Sequence, residues 1–115
     1  GYTIIQQTLI DIYKKPFDKI MRQLILQPLN MDNSTFSEPL PKADLSKIAM
    51  PYLPNGDPLP NGPYTYIAAA AGGLWTTPTD LAHFVIAIQK ALAGYTQNNI
   101  YPAIVKEMMK SGVSH

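Results

Sequence analysis

No cysteine occurs in the 115 residues, so disulfides, thiolate metal sites and thiol nucleophiles are all excluded. Charge of either sign is also sparse: Lys and Arg number 9 against 8 Asp and Glu, a formal net charge of +1. The lysines are scattered, with only Lys14 and Lys15 adjacent, so there is no basic stripe and no nucleic-acid partner is expected. No apolar run approaches the ~20 residues that span a bilayer, and the amino terminus lacks the charged-then-apolar order of a signal peptide. His, Asp and Glu never cluster at metal-ligand spacing, so neither a metal nor another cofactor is expected. Gly1 and Tyr2 lead directly into a helical pattern with no initiator methionine, as a cut or processed product would.

What is present is apolar periodicity, at a length that suits one domain able to bury roughly 65% of its unfolded surface. Thr3 with Gln6 fits a capping box, and Ile5, Leu9 and Ile12 follow at helical spacing, predicting a helix over about 3–13. Pro16 suits a first helical position. After it Phe17, Ile20, Met21, Leu24 and Ile25 form one stripe over about 16–26, closed by Pro28. A third helix, over about 78–93, has Thr77 as N-cap, Pro78 behind it, Asp80 completing the box and Gly94 as terminator. Its predicted core face is Leu81, Phe84, Val85, Ile88 and Leu92. A last helix over about 102–110 carries Ile104, Val105, Met108 and Met109, the methionines reading as core or interface filler.

Between about 32 and 66 the chain reads as loop. Pro39, Pro41, Pro51, Pro54, Pro58, Pro60 and Pro63 interrupt it, and Asn55-Gly56 and Asn61-Gly62 are turn pairs. One helical turn is expected over Asp44–Met50. So long a connection seldom stands alone in a compact domain, which implies further protein for it to lie across. The fold class is therefore mainly α, a helical piece with a long irregular loop.

Two blocks carry a resemblance. The first is Gly1-Tyr2, Ile4-Ile5, Lys15-Pro16-Phe17 and the run Leu26-Gln27-Pro28-Leu29-Asn30-Met31-Asp32-Asn33-Ser34-Thr35-Phe36; the second is Ala70-Ala71-Gly72-Gly73-Leu74-Trp75-Thr76-Thr77-Pro78-Thr79-Asp80-Leu81. In order and separation they resemble the stretch downstream of the Tyr-x-Asn motif in the class C β-lactamase and penicillin-binding-protein-like serine hydrolases. There a GY-x-LL helix leads through G-K-P-F to PLGM-x-x-T and then A-G-G-L-x-S-T-x-x-D-L. The resemblance implies a fragment of the helical region of that α/β fold. It departs from the pattern at Lys14 and Asn30, which stand where the family favours glycine, and at Gln6, which replaces a small residue.

The same resemblance implies a reaction, and the residues for that reaction are missing. In the family a serine of Ser-x-x-Lys attacks the acyl carbonyl, with the lysine and the tyrosine of Tyr-x-Asn handling its proton. Three residues after Ser34, Ser37, Ser46 and Ser111 stand Ser37, Leu40, Ala49 and Ser114, and no Tyr-x-Asn or Ser-x-Asn occurs. By register that second motif would end just before Gly1. Lys110-Ser111-Gly112 matches the letters of the third motif but follows a predicted helix and reads as a helix cap. His83 has no acid or serine at triad spacing, His115 is terminal, and Asp11 and Glu107 read as solvated charges.

No catalytic residue is therefore assigned to this chain. The resemblance places Tyr64, Tyr66, Gly72 and Gly73 at the edge of a substrate cleft, whose occupant in the parent is a small acyl compound: a β-lactam, a D-alanyl peptide or an ester. The structural reading of Gly72-Gly73 is a tight turn before a capped helix. The expected partner is the remainder of the parent hydrolase or a second copy of the chain. The rival reading is a non-catalytic helical interaction domain derived from the same family. Periplasmic or secreted location is implied by the resemblance alone.

Overall fold

The computed structural model describes residues 1–63 and 68–112. Within them the chain is mainly helical: α1 (Tyr2–Tyr13), α2 (Phe17–Met21, continued by a wider π turn over Arg22–Leu26), α3 (Ala69–Gly72), α4 (Pro78–Leu92) and α5 (Pro102–Met108). The helical turn expected over Asp44–Met50 is a 3₁₀ segment at Lys42–Lys47. Extended pairing among the described residues is confined to isolated bridges, such as Thr35 with Trp75.

The end of α2 shows how one proline shapes a fold. Pro28 has no N–H to offer the Leu24 carbonyl four residues back, and its ring would collide with that carbonyl in a regular α-helix. The ladder widens instead, with Gln27 N–H donating to Arg22 O at 2.9 Å. Exit follows a Schellman pattern: Met31 N–H donates to Leu26 O at 2.8 Å and Asn30 N–H to Gln27 O at 3.0 Å. Asn30 takes the left-handed conformation this requires, with φ 57°, which asparagine tolerates well. The carbonyls still without helical partners are met from elsewhere. Asn99 Nδ2 donates to Leu24 O at 2.6 Å, Asn98 Nδ2 to Pro28 O at 2.8 Å, and His83 Nδ1 lies 3.1 Å from Asn30 O.

This exit delivers Leu26, Leu29 and Met31 into the main core, where Ala87 and Ala91 of α4, Ile100 of the turn before α5 and Val105 of α5 close over them. Phe36 returns along the edge and meets Phe17 edge-on, ring centroids 5.4 Å apart.

α4 begins and ends on the residues singled out above. Thr77 Oγ1 accepts from Asp80 N–H at 3.2 Å, and Gly94 leaves the helix with φ 95° while Tyr95 N–H bonds Lys90 O. Two readings of this helix need correction. Its packed face is Asp80, Ala87 and Ala91, flanked by the half-buried Phe84 and Ile88, whereas Leu81, Val85 and Leu92 are exposed. Alanines admit the close approach of α5, and the larger Leu81, Val85 and Leu92 find no cover among the described residues. The Asp80 carboxylate, moreover, turns away from the helix start instead of completing a box.

α1 departs further from its expected pattern. Its N-cap is Gly1, Thr3 makes no capping bond, and no residue of the helix is buried. Gln6 instead reaches across to α3, where its Oε1 accepts from Ala70 N–H at 3.0 Å and satisfies a free amide of that one-turn helix. Ile4 and Ile12 stay 71% and 67% exposed. The same holds at the far end, where α5 buries only Val105 and leaves Ile104, Met108 and Met109 in solvent.

The chain ends α1 at Lys14, held left-handed at φ 54°. A non-glycine residue in this region costs about 1 kcal/mol or more, and the Lys14 side chain is exposed. Lys14→Gly should therefore stabilise the chain by about 1 kcal/mol, read as a higher midpoint in urea at unchanged slope.

Candidate functional site

The two blocks that carry the family resemblance are joined in space. Thr35 and Trp75 exchange both backbone hydrogen bonds at 2.9 Å, which lays the segment after Met31 alongside the segment before α4. Beneath that bridge lies Asp80, only 2% exposed. Its Oδ2 accepts from Asn33 N–H at 2.8 Å and from the Ser34 hydroxyl at 2.7 Å. Because Ser34 spends its one hydroxyl proton on the carboxylate, the 2.7 Å contact between Ser34 Oγ and Thr76 Oγ1 has Thr76 as donor. A chain Thr76–Ser34–Asp80 results, with charge-assisted bonds at its buried end.

This arrangement positions a turn; it does not activate a nucleophile. Ser34 is tied to an acid and a threonine, and Ser37 Oγ donates to Asp18 Oδ2 at 3.3 Å. Among the described residues no serine hydroxyl bonds to a lysine, histidine or tyrosine. His83 places its Nδ1 on a backbone carbonyl, which can only accept, so that nitrogen is the protonated one there. Lys110 pairs with Glu107 at the exposed end of α5 and lies on no strand. No three His, Asp or Glu side chains among the described residues stand close enough to hold a metal ion.

Of the residues assigned to a substrate edge, Gly72 closes α3 and is exposed, whereas Gly73 is buried. Tyr64 and Tyr66 lie outside the described residues. The two glycines are not equivalent. A Cβ on Gly73 would fall 2.7 Å from Ala69 Cα and 2.9 Å from Ala69 O, while one on Gly72 would meet nothing within 4 Å. Backbone atoms cannot swing aside as a side chain can, so Gly73→Ala should cost about 1–3 kcal/mol. Gly72→Ala should be neutral within about 0.5 kcal/mol. Paired denaturation curves would check both, and equal effects would show that the close approach at Gly73 is not what selects glycine.

The residues missed at the sequence level are Asn98 and Asn99. They fasten a turn to the exit of α2, and nothing local marks them beyond their suitability for turns.

A family profile described as Beta-lactamase matches residues 1–109. No curated protein matches the chain.

Proposed function

Because the chain belongs to the Beta-lactamase family, we propose that it is the helical segment of a serine acyl hydrolase that takes β-lactams, D-alanyl peptides or esters. The observation that carries this reading is the buried Asp80 carboxylate. The motif residues Asn33, Ser34, Thr76 and Asp80 are all occupied in holding one another, so the segment serves as scaffold and the reacting serine lies elsewhere in the parent. In that parent a serine would attack the acyl carbonyl, and a lysine and a tyrosine would move its proton. This segment would contribute the rim: Tyr64 and Tyr66 as apolar surface for the acyl substituent, and Gly72 as open backbone beside it. Gly73 is better explained by its packing on Ala69. An exported parent, periplasmic or secreted, accords with the same reading.

The second reading, a non-catalytic helical interaction domain of the same descent, is favoured by one observation. Apolar side chains on α1, α4 and α5 are open to solvent and need a cover. The gene sequence flanking the chain separates the two. Ser-x-x-Lys and Tyr-x-Asn upstream, in one reading frame, support the hydrolase; a start codon at the first residue with neither motif supports the interaction domain.

A further inference from the structure

The tetrapeptide Leu-Pro-Asn-Gly occurs twice, as Leu53–Gly56 and again as Leu59–Gly62. Each copy closes a turn through the same bond: Gly56 N–H donates to Leu53 O at 2.9 Å and Gly62 N–H to Leu59 O at 3.1 Å. Both asparagines are exposed. An Asn-Gly pair can react with its own backbone, because glycine has no Cβ to hinder the approach of its amide nitrogen to the asparagine Cγ.

The two copies differ in what holds them. Around Asn55 the chain forms a small hairpin, with Leu53 N–H donating to Asp57 O at 2.7 Å and Leu59 N–H to Pro51 O at 2.9 Å. The Asn55 side chain is clamped as well. Its Oδ1 accepts from Asp57 N–H at 3.1 Å and its Nδ2 donates to Asp57 Oδ2 at 2.7 Å. At the second copy the residue in the place of Asp57 is Pro63, which has neither an N–H nor a carboxylate, so that clamp cannot form. Asn61 is held left-handed instead, at φ 67°.

We propose that Asn61 is a site of spontaneous covalent modification and that Asn55 is protected from it. The Gly62 amide nitrogen loses its proton to solvent base and attacks Asn61 Cγ; the N–Cγ bond forms, the Cγ–Nδ2 bond breaks, and ammonia leaves with a proton taken from water. Water then opens the succinimide at either carbonyl and leaves aspartate or isoaspartate at position 61, with no change of oxidation state. Ring closure needs the turn to open and the side chain to swing onto the following nitrogen. At Asn55 that movement must also break two side-chain bonds, and the Asp57 carboxylate disfavours the amide anion that attacks. The product takes the formal net charge from +1 to zero. The inference does not rest on acyl hydrolysis.

The chain is incubated in mildly alkaline buffer made with heavy-oxygen water, returned to ordinary water and digested with trypsin under mildly acidic conditions. Tandem mass spectrometry of the peptide from Ile48 to Lys90, which contains both sites, assigns the label to position 55 or 61. The folded chain should take up label at position 61 at least tenfold faster than at 55, since two further hydrogen bonds protect Asn55. In urea, where only the shared local sequence acts, the ratio should collapse toward unity. Asp57→Ala, a change at an exposed side chain, should speed the reaction at position 55 several-fold in the folded chain and leave position 61 unchanged. Equal rates in the folded chain, a faster reaction at position 55, a tenfold ratio that persists in urea, or an unchanged rate at position 55 in Asp57→Ala would each overturn the proposal. So would a folded chain that takes up no label at position 61 over the time in which the chain in urea reacts.

Discussion

Asp80→Ala should destabilise the chain by about 3–5 kcal/mol, the largest single-residue effect expected here. The substitution removes an acceptor that serves the Asn33 amide and the Ser34 hydroxyl at once, and each such bond to a charged group contributes about 1.5–3 kcal/mol. It also leaves a space beneath the Thr35–Trp75 bridge, so the two blocks lose both their bond and their filling. Asp80→Asn is the informative control. Its amide oxygen can still accept from both donors, so only the charge assistance is lost, and the cost should be about 1–2 kcal/mol. Because Trp75 sits on the bridge, its emission and the far-UV signal should melt together in the wild type. In Asp80→Ala the Trp75 change should come first. An alanine variant as stable as the asparagine variant would show that the buried carboxylate does not tie the blocks together.

How far this arrangement could be read from residues alone depended on the range of the interaction. Helix ends were legible because their signals are local: Thr77 faces an amide three residues on, Pro78 suits the first turn, and Gly94 takes the positive φ that ends α4. The exit of α2 was legible through Pro28 and Asn30 for the same reason. Asp80 was read as part of a local box, yet its partners lie 46 and 47 residues away, and nothing near Asp80 in sequence distinguishes the two roles. Asn98 and Asn99 act over 70 and 75 residues and left no local mark. The packing face of α4 was misread because periodicity gives weight to large apolar side chains, whereas this contact is made at Ala87 and Ala91. Tyr64 and Tyr66 rest on the family resemblance alone, since they lie outside the described residues.

Self-association at micromolar concentration is the second large effect expected. The accessible surface is 8493 Å², against about 6,200 Å² for a compact monomer of this mass. The radius of gyration is 16.3 Å, against about 13 Å for a domain of this length. An excess of that size exceeds the ~800 Å² per partner of a standard interface. Much of it is apolar: Ile4 and Ile12 on α1, Leu81 and Val85 on α4, and Ile104 and Met108 on α5. These patches lie on several helices, so association should run past a single closed dimer or give a distribution of species. Replacing Leu81 and Val85 by serine should lower the association constant at least tenfold without loss of helix, because neither side chain is buried. Sedimentation velocity that shows a single monomeric species, together with a sharp cooperative melt, would contradict this expectation.

The central claim is that the family motifs in this chain build a scaffold and that the acylated serine belongs to the part of the parent outside it. Incubating the chain with a fluorescent penicillin and reading its intact mass tests that claim at a single atom. The account predicts an unmodified mass even at long times and high reagent, because Ser34 is bound to Asp80 and Thr76 and no serine among the described residues has a lysine partner. A one-to-one adduct carrying the penicilloyl group on any serine of the chain would contradict it.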